Sequence, residues 1–161
     1  MSTDLDPPGC ARSYLDPRQT FVAIVPCRET DWFATVARAV GGVPALASVS
    51  AVELRNSLAA VSRAEAKELA RVISVGSLLY GARSPWTSAS QGRDDCMDAL
   101  LSAVGDDARY FTNHGAAEEA EPRNFLDSSF HVNSLSTATM DLCLVAVSRS
   151  AVLVLWRFED D

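Results

Sequence analysis

The sequence predicts an α+β fold: a mainly antiparallel sheet, formed by the first strand and the C-terminal strands, packed against three or four helices. Three observations carry this. A single β-branched run, TFVAIVPC, comes first, and capped helical patterns with apolar stripes fill the middle of the chain. After Gly105 the hydrophobic period drops from about 3.6 to about 2, or to unbroken apolar runs. Regular strand–helix alternation, the mark of a parallel sheet, is missing.

Residues 1–20, with Pro7, Pro8, Gly9 and Pro17, read as a flexible arm ahead of a single domain over residues 21–161. Thr20 to Cys27 is the first strand, stopped by Pro26. Thr30 is placed to cap the next helix, with Asp31 in its first turn, an apolar stripe at Trp32, Phe33, Val36, Ala37 and Val40, and Gly41-Gly42 as its stop. Two capping boxes follow, Ser50-x-x-Glu53 and Ser62-x-x-Glu65, each a pattern in which serine and glutamate satisfy one another's backbone N–H. They predict two helices. The first carries Ala51, Leu54, Leu58 and Val61 on one side; the second carries Leu69, Val72, Ile73, Gly76, Leu79 and Tyr80.

The segment ARSPWTSASQGR breaks the pattern as a surface loop or lid, with Trp86 as a packing anchor or a contact residue. A helix beginning at Asp94-Asp95 turns Met97, Leu100, Leu101 and Val104 inward and closes at Gly105. Strands are expected at 108–112, 129–133, 140–148 and 151–159. The last two form a tight hairpin whose Arg149-Ser150 turn needs help from Ser148, because Arg-Ser is not favoured turn chemistry. The first strand is expected to join these terminal strands.

At 161 residues with 48% apolar and 22% charged side chains, the chain has the balance of one soluble globular domain. No apolar run approaches the roughly 18 residues of a membrane span, and MSTDLDPPGC lacks a secretory leader's basic start and apolar core, so a cytoplasmic location is expected. Cys10, Cys27, Cys96 and Cys143 lie far apart with no C-x-x-C, which suggests neither a zinc ribbon nor a disulfide framework; Cys27 and Cys143 read as small buried thiols.

The net charge of −7 is concentrated in one place. Residues 94–127 hold nine acids (Asp94, Asp95, Asp98, Asp106, Asp107, Glu118, Glu119, Glu121, Asp127) against Arg109 and Arg123, while the rest of the chain balances. An acidic patch of this kind argues against nucleic acid, whose binding needs clustered bases, and points to a protein partner with a basic surface.

Phosphate-binding glycine loops, the G-x-S-x-G elbow and H-E-x-x-H are all missing. With only His114 and His131, on separate segments, no metal site, cofactor or catalytic residue is assigned. Asn113-His114-Gly115 reads as a turn using positive φ, and His131 as a half-exposed strand position.

YFTNHG, then FHV, then the hairpin MDLCLVAVSRSAVLVLWRFEDD resembles the C-terminal pattern of small cytoplasmic immunity proteins of bacterial polymorphic-toxin systems. The resemblance covers about the last third of the chain and implies a non-enzymatic inhibitor that blocks a cognate toxin with an acidic surface. Charge and aromatic content nominate the contact residues: Trp86, Asp106, Asp107, Tyr110, Phe111, His114, Glu118, Glu119, Glu121 and Phe125. The alternatives are a small enzyme or ligand-binding domain with a pocket near His114, and a subunit that self-associates through a sheet edge.

Overall fold

The computed structural model describes residues 6–27, 30–74, 78, 91–119, 123, 125 and 134–160. In chain order these form α1 (Ala11–Tyr14), β1 (Thr20–Pro26), α2 (Trp32–Val40), a 3-10 turn (Pro44–Leu46), α3 (Ala51–Ser57), β2 (Ala59–Val61) and α4 (Arg63–Ser74). Then come α5 (Gln91–Ser102), β3 (Arg109–Thr112), a second 3-10 turn (Gly115–Glu118), β4 (Met140–Val147) and β5 (Ala151–Glu159). The strands make one five-stranded sheet in the order β1-β5-β4-β3-β2, with every pairing antiparallel. The fold is α+β, and the first strand does join the C-terminal hairpin.

Alternation along the strands divides the interior into two cores. Leu142, Leu144 and Ala146 of β4, with Ala151, Leu153 and Leu155 of β5, pack under α1, α4 and α5. Cys143, Val145 and Val147, with Val152, Val154 and Trp156, pack under α2 and α3. Both faces of the hairpin are therefore covered, which is why its strands read as unbroken apolar runs. Two charged side chains are buried within the hairpin, Asp141 of β4 and Arg157 of β5. Arg157 packs on the α4 side. It is 1% exposed, donates to Ile73 O at 3.2 Å and Gln19 Oε1 at 2.8 Å, and lies 3.4 Å from Glu159 Oε2, so its charge is compensated where β5 passes the end of α4.

The hairpin turn works as its chemistry requires: Ser148 Oγ accepts from Ser150 N and Ala151 N and donates to Ala151 O. The second capping box is complete, with Glu65 N donating to Ser62 Oγ at 3.1 Å and Ser62 N donating to Glu65 Oε1 at 2.8 Å. In the first, Ser50 Oγ accepts from Glu53 N at 3.2 Å.

Five expectations are corrected. Asp31, not Thr30, caps α2, because its carboxylate accepts from Phe33 N at 3.0 Å while Arg55 holds its other oxygen at 2.8 Å. The helix from Ser50 ends at Ser57, since Ala59–Val61 pairs with β3 instead; Leu58 and Val61 then fall in opposite cores rather than on one helix face. The helix expected at Asp94 begins at Gln91. The N-terminal arm is partly built in, with Ala11 and Leu15 in the first core. Finally, Cys10 and Cys96 form a disulfide across 86 residues of sequence, a proximity that only the docking of α1 on α5 creates. Cys27 and Cys143 are not in a disulfide; they are half-buried and buried respectively. Gly76, Leu79, Tyr80, the loop with Trp86, Glu121, and the strand expected at 129–133 with His131 lie outside the described residues. Among the described residues no helix is long and apolar enough to cross a membrane.

Candidate functional site

β3 carries Tyr110 and Phe111 to opposite faces, and the two side chains have different fates. Tyr110 enters the first core at 7% exposure, its hydroxyl accepting from Arg63 at 2.8 Å. Phe111 stays half-buried at the margin of the second core. There Trp32, the first residue of α2, stacks on Phe33 at 3.8 Å and meets Phe111 at 4.7 Å. All three rings are half-buried. Arg55 of α3 lies over Phe33 at 5.3 Å, tied down by Asp31, and the exposed Arg109 lies over Phe111 at 5.7 Å. The result is an aromatic centre flanked by two guanidinium groups. Trp32 and Phe33 were legible only as helix-stripe residues; both remain half-buried in the structure.

At the far end of β3 the chain builds a buried polar knot. Asn113 Oδ1 accepts from Cys143 N at 2.9 Å, continuing the ladder with a side chain once β3 has ended. Thr112 Oγ1 donates to Cys143 O at 2.7 Å and accepts from His114 N at 3.2 Å. Asp141, fully buried, accepts from Trp156 Nε1 at 2.8 Å and from Leu135 N at 3.1 Å. Burial pushes the Asp141 carboxyl above its ordinary value, partly offset by the Trp156 hydrogen bond. Burial pushes the Cys143 thiol well up, so it stays protonated and unreactive at neutral pH. His114 is 2% exposed; its Nδ1 accepts from Ala116 N at 3.0 Å, capping the second 3-10 turn and leaving its proton on Nε2, while its ring meets Phe125 edge-on at 5.0 Å. Among the described residues only Gly105 has positive φ, so residues 113–115 are not the left-handed turn expected. These polar side chains hold the chain ends of β3 and β4 together.

The nominated contact residues separate accordingly. Tyr110, His114 and Phe125 are 7%, 2% and 3% exposed, packed into the first core or its border, and so do not present anchors to a partner. Phe111 is half-buried at the aromatic centre, while Asp106, Asp107, Glu118 and Glu119 are exposed. Trp86 and Glu121 lie outside the described residues.

The acidic window is also redistributed by folding. Asp98 of α5 pairs with Arg63 at 2.8 Å and Lys67 at 3.8 Å, and Asp94 lies 3.6 Å from Arg71, so one flank of α4 neutralises one flank of α5. The Arg63 hydrogen bond holds the Asp98 carboxyl below the usual range. Asp106 and Asp107 precede β3, and Asp107 accepts from Arg149 N at 3.0 Å; Glu118 and Glu119 follow it. Among the described residues, the other exposed acids of the window are Asp95 on α5, Asp106 and Asp107 just before β3, and Glu118 and Glu119 in the segment that follows it. Among the described residues, no group of three or more His, Cys, Asp or Glu side chains is placed to hold a metal ion.

Compared with known proteins, the chain matches no family model, no curated protein and no solved structure.

Proposed function

We propose that this chain is a protein-binding inhibitor that acts in the cytoplasm, an immunity protein that neutralises a cognate toxin by occluding it. The observation that supports this is the stacked but half-exposed Trp32–Phe33–Phe111 centre, flanked by Arg55 and Arg109. The exposed acids before and after the strand that bears Phe111 would draw in a partner with a basic rim, and the aromatics would desolvate against its apolar centre.

The test is co-expression with the product of the adjacent reading frame, which on this reading is a secreted toxin. Co-purification and protection of the host cell are expected. F111A should weaken the complex by tenfold or more through faster dissociation, whereas E118K/E119K and added salt should slow association. A chain that neither binds nor protects, or a complex indifferent to F111A and to salt, would overturn the proposal.

A further inference from the structure

We propose that the Cys10–Cys96 disulfide is a redox-operated latch on the N-terminal arm, rather than a staple on which the whole domain depends. Little else holds the arm. Every hydrogen bond made by residues 6–15 closes within that segment: Ala11 N to Pro8 O, Ser13 N to Cys10 O, and Leu15 N to Ala11 O. The first residue whose side chain is gripped by the sheet is Gln19, which accepts from Arg157 at 2.8 Å. Ahead of it, the arm touches the domain through the buried side chains of Ala11 and Leu15, the Tyr14 ring beneath Arg93 at 5.9 Å, and the disulfide. A helix of four residues has no stability of its own. Once the S–S bond opens, the docked arm is held by the apolar packing of Ala11, Tyr14 and Leu15 and one cation–π contact.

The two cores do not share this dependence. The sheet, α4 and the hairpin are linked by their own ladders, and the first core retains Leu69, Ile73, Leu100, Leu144, Leu153 and others without the arm. What the arm does cover is the α5 surface around Cys96 and one wall of a cleft of about 640 Å³ beside Thr20, Phe21 and Val22, at the start of edge strand β1. Its release would widen access to that edge, whose outward backbone groups have no neighbouring strand among the described residues.

Cys10 is half-buried whereas Cys96 is 3% exposed, and we therefore take the more exposed Cys10 as the point of attack. A dithiol reductant attacks Cys10 Sγ through its thiolate; the S–S bond breaks and Cys96 leaves as a thiolate that takes up a proton. The reductant's second thiol then resolves the mixed disulfide, releasing Cys10 as a thiol and leaving the reductant oxidised. In a reducing compartment the arm rests undocked, and oxidation closes it. This inference does not depend on the toxin-inhibitor reading.

The test uses the full chain, oxidised or treated with dithiothreitol, with the indole N–H resonance of the buried Trp156, assigned by its loss in W156F, reporting the core and limited trypsin digestion reporting the exposed Arg12. Cleavage after Arg12 is expected to accelerate at least tenfold on reduction while the Trp156 signal persists. C10S should cleave at the reduced rate with or without dithiothreitol, and C27S should behave as wild type. Hydrogen exchange of reduced wild-type protein gives the same reading without a substitution, with faster exchange confined to the arm and the start of β1. Loss of the Trp156 signal on reduction would make the bond a global staple and overturn the proposal, as would an arm equally resistant in both states.

Discussion

Arg123 grips Glu65 with two parallel hydrogen bonds, Nε to Oε2 at 2.7 Å and a terminal nitrogen to Oε1 at 2.6 Å, across 58 residues of sequence. The other terminal nitrogen donates to Ala117 O at 2.7 Å, so one guanidinium ties the acidic segment after β3 to the N-terminus of α4. The Arg123 hydrogen bonds hold the Glu65 carboxyl below its ordinary value. A lowered folded pKa means that the stabilisation is complete above the unfolded value, about 4.3, and is lost as pH falls through the folded one. E65Q should cost about 1–2 kcal/mol at pH 7, and the gap to wild type should close under acid. Urea melts at stepped pH values from neutral into acid would show this, and a gap that stays constant however far the pH is lowered would rule it out.

Asp141 has the opposite sign. Its folded pKa lies above the ordinary carboxylate value, so the folded state binds that proton more tightly than the unfolded chain does. Its contribution to stability therefore falls as pH rises from about 3.9 through the folded value. Because the Trp156 indole N–H favours the ionised form, W156F should raise the Asp141 pKa further. Carboxyl carbon shifts followed against pH measure this directly; an unchanged or lowered titration would mean that the indole does not control the carboxylate.

The connections around the hairpin should be sensitive to single atoms. Gly105 has φ +126°, and a Cβ there would also sit 3.1 Å from Asp107 Oδ1, so G105A should cost about 1–3 kcal/mol. S148A removes the acceptor of two turn N–H groups and should cost about 1–2 kcal/mol. Thermal unfolding of the two variants checks both figures; losses below the error of the melt would contradict this account of the turns.

Stability measurements also separate the aromatic centre from the cores. F111A truncates a half-buried ring and should cost about 1–2 kcal/mol, against about 2–5 kcal/mol for L144A at a fully enclosed position. If F111A were as costly as L144A, the ring would be core, and the case for a contact surface at Trp32 and Phe111 would fall.

Local chemistry by itself determined much of this protein. The capping serines at 50 and 62, the glycine at 105, the helix stripes and the apolar terminal hairpin each act within a few residues, so α2, α4, β4 and β5 and the α+β class were readable in one dimension. The site was less so. Whether Tyr110 or Phe111 faces a helix depends on what covers each side of β3, and Tyr110 lies beneath Arg63 while Phe111 is left at a margin. The net charge of residues 94–127 was visible, yet its partition was not, because Arg63, Lys67 and Arg71 reach Asp94 and Asp98 only once α4 and α5 lie side by side. The same holds for Cys10 and Cys96, brought together by packing rather than spacing. Tertiary structure decided exposure, pairing and the disulfide because each depends on groups distant in sequence, which no local pattern encodes.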